Sequence, residues 1–363
     1  MKIAVGMSGG VDSTMAAYIL KEQGHDVVGI TMSIWDESVN IPDIGKSGCY
    51  GPGEAKDIEF AKKIAKQLGI EHHVVDLKKE YKDSVLNYFC NEYVCGKTPN
   101  PCVMCNHKIK FGALIERAKA SGIKFERFAT GHYARVNYDD KAKRYLLKKA
   151  VDEKKDQSYF LSHLKQEQLE QLIFPLGDKT KTEIKETAKK LGFGDVADRD
   201  ESQDFIETDD YSVLFKKEDI KPGNFLDMNG KKIGTHKGII YYTVGQRKGL
   251  GVSGGNSGIL YVVKIDAENN SIVLGSEKYL FSTDLTAINV NWISIPGLTT
   301  SVKAKVKIRQ QHKEAAATLI PDKANVKVKF DEPQRAITAG QTAVFYDNDV
   351  VLGGGTIEVS EEK

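Results

Sequence analysis

The chain has no apolar run near the roughly 18 residues that a membrane-spanning helix needs, and no signal-like apolar stretch at its start. A membrane protein and a secreted one are thereby disfavoured, and a cytoplasmic protein with no membrane partner is expected. Charge excess is also missing: 52 Lys and Arg against 50 Asp and Glu leave a net +2. Any nucleic-acid partner must then be met by local basic patches rather than by the whole surface. Cysteine is scarce, at five residues, and in a reducing compartment five thiols fit metal or sulfur chemistry better than structural disulfides. No repeat, low-complexity tract or coiled coil is visible. What remains is 363 residues, 40% of them hydrophobic, which is enough for two or three domains with real cores.

The chain is organised around its first strand and the loop that leaves it, MKIAVGMSGGVDSTMAAYIL. Ile3, Ala4 and Val5 read as a buried strand, and Met15, Ala16, Tyr18, Ile19 and Leu20 recur at helical spacing. Between them lies a glycine-rich turn that lacks the lysine and residue order of a Walker loop and is not a dinucleotide fingerprint either. Gly6, Gly9 and Gly10 let the backbone approach an anion, Ser8 and Ser13 add hydroxyls, and the N–H groups opening the helix supply donors and the positive end of its dipole. Asp12 is the odd member, because a carboxylate repels phosphate unless a metal cation lies between them or the Asp orders the loop. An exposed, phosphate-binding turn is expected.

Further along, residues 27–32 read as a second strand, 54–69 as a helix ending at a C-cap Gly69, 71–77 as a third strand and 81–94 as a helix. FERFATGHYARV (125–136) reads as another strand ending near Gly131. Strands alternating with helices imply a parallel sheet with its ligands beyond the carboxyl ends of the strands, where Met32, Cys49, Gly131 and His132 fall. From about residue 205 closely spaced glycines and short β-like runs suggest a small, mostly antiparallel domain. From about 283 regularly spaced strands suggest a compact β-barrel. The expected division is 1–204, an α/β parallel-sheet catalytic domain; 205–282, a small central mostly β domain; and 283–363, the barrel.

A second stretch with chemical content is GKTPNPCVMCNHKIKFG. Pro99 and Pro101 stiffen the chain before Cys102, and Ile109, Phe111 and Leu114 suggest a helix anchored beneath. A Cys-x-x-Cys pair is a redox dithiol, half of a zinc site, or two ligands of an iron–sulfur cluster. Cys90 and Cys95 lie close by in sequence and leave a zinc knot open, although Cys90 reads as the apolar face of a helix.

These motifs together resemble the tRNA-specific 2-thiouridylase family (MnmA/TrmU) over nearly the whole length. The matches are GMSGGVDS (6–13), TPNPC..CN.KIKFG (98–112), TGHYAR (130–135), KDQSYFL (155–161), ESQDF (201–205), YYTVGQRKGLG (241–251) and GQTAVFYD with LGGGTIE (340–358). The resemblance implies a Rossmann-like ATP-pyrophosphatase domain and ATP-dependent replacement of the C2 oxygen of the wobble uridine (position 34) by sulfur, through an adenylated base. ATP and Mg2+ are the implied cofactors, tRNA the partner, and sulfide or a persulfide carrier protein the sulfur donor.

The sequence departs from the family pattern twice. The family motif has Asp where this chain has Cys102, three residues before the cysteine that matches Cys105. The family's second catalytic cysteine follows ESQ, whereas ESQDFIETDDY has none. A persulfide relay between two such cysteines cannot run in its usual form. Cys102, Cys105 and a third thiolate, for which Cys49 is the choice over Cys95 and Cys90, could instead hold a [4Fe–4S] cluster with one iron open, an arrangement similar to that of other cluster-dependent tRNA thiolases. Persulfide-based thiolation at Cys105 alone, and a non-thiolating ATP-pyrophosphatase-type tRNA-binding homologue, are the alternatives.

By the same resemblance Cys105, Cys102 and Asp12 are the expected catalytic residues. Gly6, Met7, Ser8, Gly9, Gly10, Val11, Asp12 and Ser13, with Met32 and Gly131, are the expected ATP site. A flipped uridine should enter beside Asn100, Pro101 and Cys102. His132, Lys155, Asp156, Gln157, Arg247, Lys248, Arg309, Gln310 and Gln341 are the remaining expected tRNA contacts.

Overall fold

The computed structural model describes residues 1–199, 204–252 and 258–359. Among them no helix is long and apolar enough to cross a membrane. The first unit opens with β1 (Lys2–Gly6), α1 (Val11–Glu22), β2 (Asp26–Ser33), β3 (Gly48–Tyr50), α2 (Glu54–Leu68) and β4 (Glu71–Asp76). Alternation along β1 sends Ile3 and Val5 to one face, against Met15, Ala16 and Leu20 of α1 and Ile64 of α2, and Ala4 to the other. Helix α2 buries Ala61, Ile64, Ala65 and Leu68 and stops at Gly69, whose φ of 64° is the left-handed cap the sequence anticipates.

Two helical stretches cover the other face. Lys78–Val94 includes a π-helical segment at Lys82–Leu86, and Pro101–Ala120 includes a longer one at Cys105–Ala113. Widened turns of this kind are concentrated at functional sites. Strands β5 (Arg127–Ala129), β6 (Ala134–Asp139) and β7 (Arg144–Lys149) follow, then β8 (Leu172–Ile173). The parallel sheet has the order β4-β2-β1-β5-β8. Strand order therefore reverses between β1 and β5, the switch point at which α/β sheets bind ligands.

The single strand expected over 125–136 is two elements. Parallel pairing ends at Ala129, the chain bends through Thr130–Tyr133, and β6 leaves with β7 as a hairpin that joins the C-terminal sheet through Val350 and Lys148. Arg135 fixes the departure, donating from Nε to Lys149 O at 2.7 Å and pairing with Asp349 at 3.0 Å. Strand β8 was not anticipated, since two residues carry no period.

Strand β9 (Asp204–Ile206) pairs in parallel with β3, away from the main sheet. Residues 201–203 of the ESQDF motif lie outside the described residues. The middle unit is a four-stranded sheet of β10 (Gly223–Leu226), β11 (Lys232–His236), β12 (Tyr261–Asp266) and β13 (Ser271–Gly275), antiparallel except for β10 with β13. The last unit runs β14 (Phe281–Trp292), β15 (Val302–Lys307), β16 (Ala315–Asp322), β17 (Asn325–Arg335), β18 (Thr342–Asp347) and β19 (Val350–Glu358). Its order β14-β17-β16-β15-β18-β19 is closed by β14 pairing with β19, and Leu285, Val306, Phe330 and Phe345 fill the interior. The sequence reading of a parallel α/β unit, a small β unit and a barrel holds.

Candidate functional site

Beyond β1 the chain turns through Ser8–Gly10 into α1, and no side chain caps that helix. Its first N–H groups therefore face the cavity that Val11, Asp12 and Ser13 line. The turn is ordered from within. The Ser8 N–H donates to Ser13 Oγ at 3.2 Å, and Ser13 Oγ and Thr14 Oγ1 each donate to Gly10 O at 3.0 Å. Ser8 is exposed and Asp12 part-exposed while Ser13 is buried, so the turn is open at Ser8 and closed behind it at Ser13. Gly9 adopts φ 75° and packs against Phe60 and Arg199, which is a structural use of its glycine rather than a place on the cavity wall.

Asp12 has a partner that the sequence did not disclose. Lys181, at the start of the Lys181–Lys190 helix, reaches both Asp12 oxygens at 2.8 and 2.7 Å, and Tyr133 Oη donates to Oδ1 at 2.8 Å. The lysine side chain is only 9% exposed. Thr180 and Glu183 form a capping box that marks where this helix begins, but nothing in that signature says where the lysine points.

The turn forms one wall of a cavity of about 340 Å3 at the switch point. Gly6, Met7, Ser8, Gly10, Val11, Asp12, Ser13, Met32 and Gly131 all line it, so of the expected ATP residues Gly9 alone stands behind. Gly131 is the tightest element. A Cβ there would lie 2.5 Å from the Asp12 carbonyl carbon and 2.7 Å from the Ser13 nitrogen. Lys110 and Arg199 bring positive charge, the latter paired with Asp57 and stacked on Phe60. Glu54 accepts from Ser33 Oγ and from the Ile34 and Trp35 N–H groups, and so holds the end of β2 in place.

Cys49 opens onto the same cavity. Cys102 and Cys105 sit one turn apart in the helix behind Lys110, half-buried against the core. Burial pushes the Cys102 thiol up to about 12, with Cys49 and Cys105 adding to the rise. Burial likewise lifts Cys105 to about 11, opposed by Lys110 and reinforced by Cys49. The Cys49 thiol, enclosed by protein though open to the cavity, also rises through desolvation, and Lys110 again opposes. Three thiols thus lie within electrostatic reach of one another. Cys90 is elsewhere, donating from Sγ to Leu214 O, and Cys95 is exposed at the end of its helix. Among the described residues no three His, Cys, Asp or Glu side chains are gathered as ligands of one metal ion. Neither a zinc knot of Cys90, Cys95, Cys102 and Cys105 nor the expected trio of Cys49, Cys102 and Cys105 is gathered as a ligand set among these residues.

The residues expected to meet RNA divide into two sets. Arg247 and Lys248 project from a glycine turn as exposed side chains, and Lys155 is part-exposed. The rest hold the protein together. Asp156 is 6% exposed, and its carboxylate accepts from the Ala150 and Ser158 N–H groups and from Ser158 Oγ. Gln157 Oε1 accepts from Tyr133 N–H, Gln310 donates to Asp156 O, and Gln341 donates to Thr98 O and Pro99 O. Arg309 is part-buried and donates to Arg335 O. Asn100 caps the helix that begins at Pro101, accepting from Val103 N–H at 3.2 Å. His132 lines the cavity, wedged against Phe111 and Phe174, and burial next to Lys110 holds its imidazole well below the usual range and hence neutral.

A glycine turn and an uncapped helix at the switch point, with cations on the walls, define a nucleotide-binding α/β domain of ATP-pyrophosphatase type carrying two β units. Family models agree along the chain: a tRNA methyl transferase HUP domain over residues 1–207, a tRNA methyl transferase PRC-barrel domain over 212–276, and an aminomethyltransferase β-barrel domain over 282–357. The tRNA-specific 2-thiouridylase MnmA 2 of Thermoanaerobacter sp. (strain X514) is 51% identical over 364 residues, covering 98% of each chain. MnmA of Acetivibrio thermocellus is 47% identical over 363 residues, covering 98% of this chain and 99% of that one. The chain belongs to the MnmA/TrmU family of tRNA-specific 2-thiouridylases. Among solved structures, a 4-thiouridine synthetase–RNA complex with bound ATP overlays 54% of this chain and 42% of its own at TM-score 0.36 and 18% identity, too loosely to argue from.

Proposed function

We propose that the protein is a tRNA-uridine 2-sulfurtransferase that uses ATP to activate the C2 oxygen of the wobble uridine, position 34, and replaces it with sulfur. The observation that carries this is one cavity lined both by the phosphate turn and by Cys49, with Cys102 and Cys105 in electrostatic reach behind it. The N–H groups of Val11, Asp12 and Ser13 and the hydroxyl of Ser8 receive the phosphates of ATP, and Lys110 offsets their charge. Mg2+ would travel on those phosphates, with Asp12, Glu54 and Asp57 as the carboxylates on the cavity wall, since Mg2+ usually takes one or two carboxylates beside substrate phosphates. The flipped base passes Asn100, Pro101 and Cys102. Its C2 oxygen attacks the α-phosphorus, pyrophosphate leaves, and sulfur then attacks C2 and expels AMP.

Cys49, Cys102 and Cys105 would hold a [4Fe–4S] cluster only once the three thiols draw together, since Cys49 alone of them lines the cavity and among the described residues no three such side chains are gathered for one metal ion. Such a cluster would supply an iron able to hold inorganic sulfide, with the three thiolates as its protein ligands. Arg247 and Lys248 would position the tRNA through its phosphates.

Anaerobic purification tests the reading. Brown protein with about four irons per chain, lost in Cys49→Ala, Cys102→Ala and Cys105→Ala while ATP binding persists, supports it. Colourless protein that thiolates tRNA in air with a sulfur donor and tolerates Cys49→Ala replaces the cluster by a persulfide on Cys105. If tRNA elicits no AMP release, the enzymatic reading fails altogether.

A further inference from the structure

The three units meet at a short stretch of chain just ahead of the cysteines. Thr98 N–H donates to Ala339 O of the barrel at 2.8 Å. Gln341 Nε2 donates to Thr98 O at 2.9 Å and to Pro99 O at 3.2 Å, so both N–H donors of that amide are committed to one segment. Gly340, at φ 87°, lies against the same backbone, and a Cβ there would stand 3.1 Å from the Thr98 carbonyl carbon. On the middle unit's side, Thr98 Oγ1 donates to Thr243 Oγ1 at 3.2 Å.

Each grip is anchored behind. Gln341 O accepts from Ile357 N–H at 2.7 Å, which ties it to β19. Thr243 N–H donates to Gln246 Oε1 at 3.0 Å, and Gln246 Nε2 donates to Lys248 O at 3.0 Å, so Thr243 belongs to the turn that exposes Arg247 and Lys248. On the far side of Pro99, Asn100 caps the helix that carries Cys102 and Cys105.

We propose that Gln341 and Thr243 are positioning residues, which grip Thr98 and Pro99 so that tRNA docking on the Arg247–Lys248 turn sets the placement of Asn100, Cys102 and Cys105. The inference rests on the thiolation reading and adds to it a route by which bound RNA prepares the cysteine segment. In this role Gln341 does not touch RNA. Its amide is spent on carbonyl oxygens inside the protein.

Gln341→Glu is the decisive variant, since it keeps the shape and sets an acceptor against two carbonyl oxygens. In the full-length protein, tRNA affinity should stay within about twofold, while kcat for tRNA-dependent AMP release falls about tenfold, the equivalent of one or two ordinary hydrogen bonds. Amide hydrogen exchange over residues 96–106 should slow on tRNA binding in the wild type but not in the variant. Thr243→Val should act in the same direction and Thr243→Ser should restore activity, which covers the case in which Gln341→Glu fails to fold. Weakened tRNA binding with kcat intact and a shallower salt dependence would make Gln341 an RNA contact and overturn the proposal, as would unchanged kinetics and exchange in both variants. Wild-type protein that releases no AMP fails the parent reading, and the exchange comparison then still decides whether the grip responds to RNA.

Discussion

Gly131→Ala should disable the phosphate turn from outside it. The added methyl would lie 2.5 Å from the Asp12 carbonyl carbon, 2.7 Å from the Ser13 nitrogen and 2.8 Å from Asp12 Cβ. Two of those atoms are backbone and cannot swing aside. Contact normally begins near 3.4 Å, so the opening turn of α1 or the β5 end must retreat by about 0.9 Å. Overpacking of this kind costs roughly 1–3 kcal/mol of stability. The larger effect should be catalytic, because a displacement near 1 Å at a site that aligns reacting groups lowers rate on the order of 100-fold. Gly10→Ala is the control. Its φ of −83° suits any residue, and its methyl meets only Ser8 Oγ at 3.5 Å, so stability should hold. Thermal unfolding and tRNA-dependent AMP release, measured on both variants, separate the effects. A Gly131→Ala protein with wild-type kcat and KM for ATP would refute the argument that this approach fixes the turn.

Lys181→Met should cost about 2 kcal/mol, below the range for a fully buried pair because Asp12 remains 29% exposed, and Lys181→Met with Asp12→Asn should recover part of it in urea unfolding. Arg247→Ala should flatten the dependence of log tRNA affinity on log salt by about 0.7–0.9, one phosphate contact, and an unchanged slope would place the RNA elsewhere. Burial depresses His163 from 6.5 to about 4, so between those values the unfolded chain binds a proton that the folded chain refuses. Its contribution is present above pH 6.5 and is lost as pH falls, by ~2 kcal/mol at pH 5 for the full shift and about half that for a part-exposed ring. His72, His107, His132, His236 and His312 shift the same way, so urea midpoints should drop from pH 7 to pH 5, and His163→Gln should flatten the drop.

What was legible in the sequence is what local chemistry dictates. The glycines and hydroxyls of the first turn, the cap at Gly69 and the barrel strands each follow from short-range pattern, and the structure puts them where that pattern says. Side chains whose partners lie across a unit boundary were not legible. Asp156 and Gln157 were expected as tRNA contacts, yet Asp156 is buried and Gln157 part-buried because β6 and β7 carry this stretch against the barrel, where Ser158 Oγ meets Tyr346 Oη at 3.3 Å. Nothing in the sequence singled out Lys181. Only the packing of its helix on α1 brings it to Asp12 and makes the loop carboxylate tolerable beside the site.

The missing cysteine after ESQ acquires a physical context from the β3–β9 pair. Gly48 registers with Asp204 and Tyr50 with Ile206, so the segment that lacks the cysteine lies directly beside the strand that carries Cys49. Paired strands run about 4.8 Å apart, so the two segments are immediate neighbours. Close packing holds the pair together. Cβ atoms at Gly48, Gly51 and Gly53 would collide with Ile206 or Glu207, and Gly53 N–H donates to Glu207 Oε2 at 2.8 Å. Lys46 closes the other side, bonding Asp204, Thr208 O and Asp209. The insertion bearing Cys49 is therefore held to the post-ESQ segment at both ends of β3. This strand keeps Cys49 fixed on the wall of the cavity that the phosphate turn also lines.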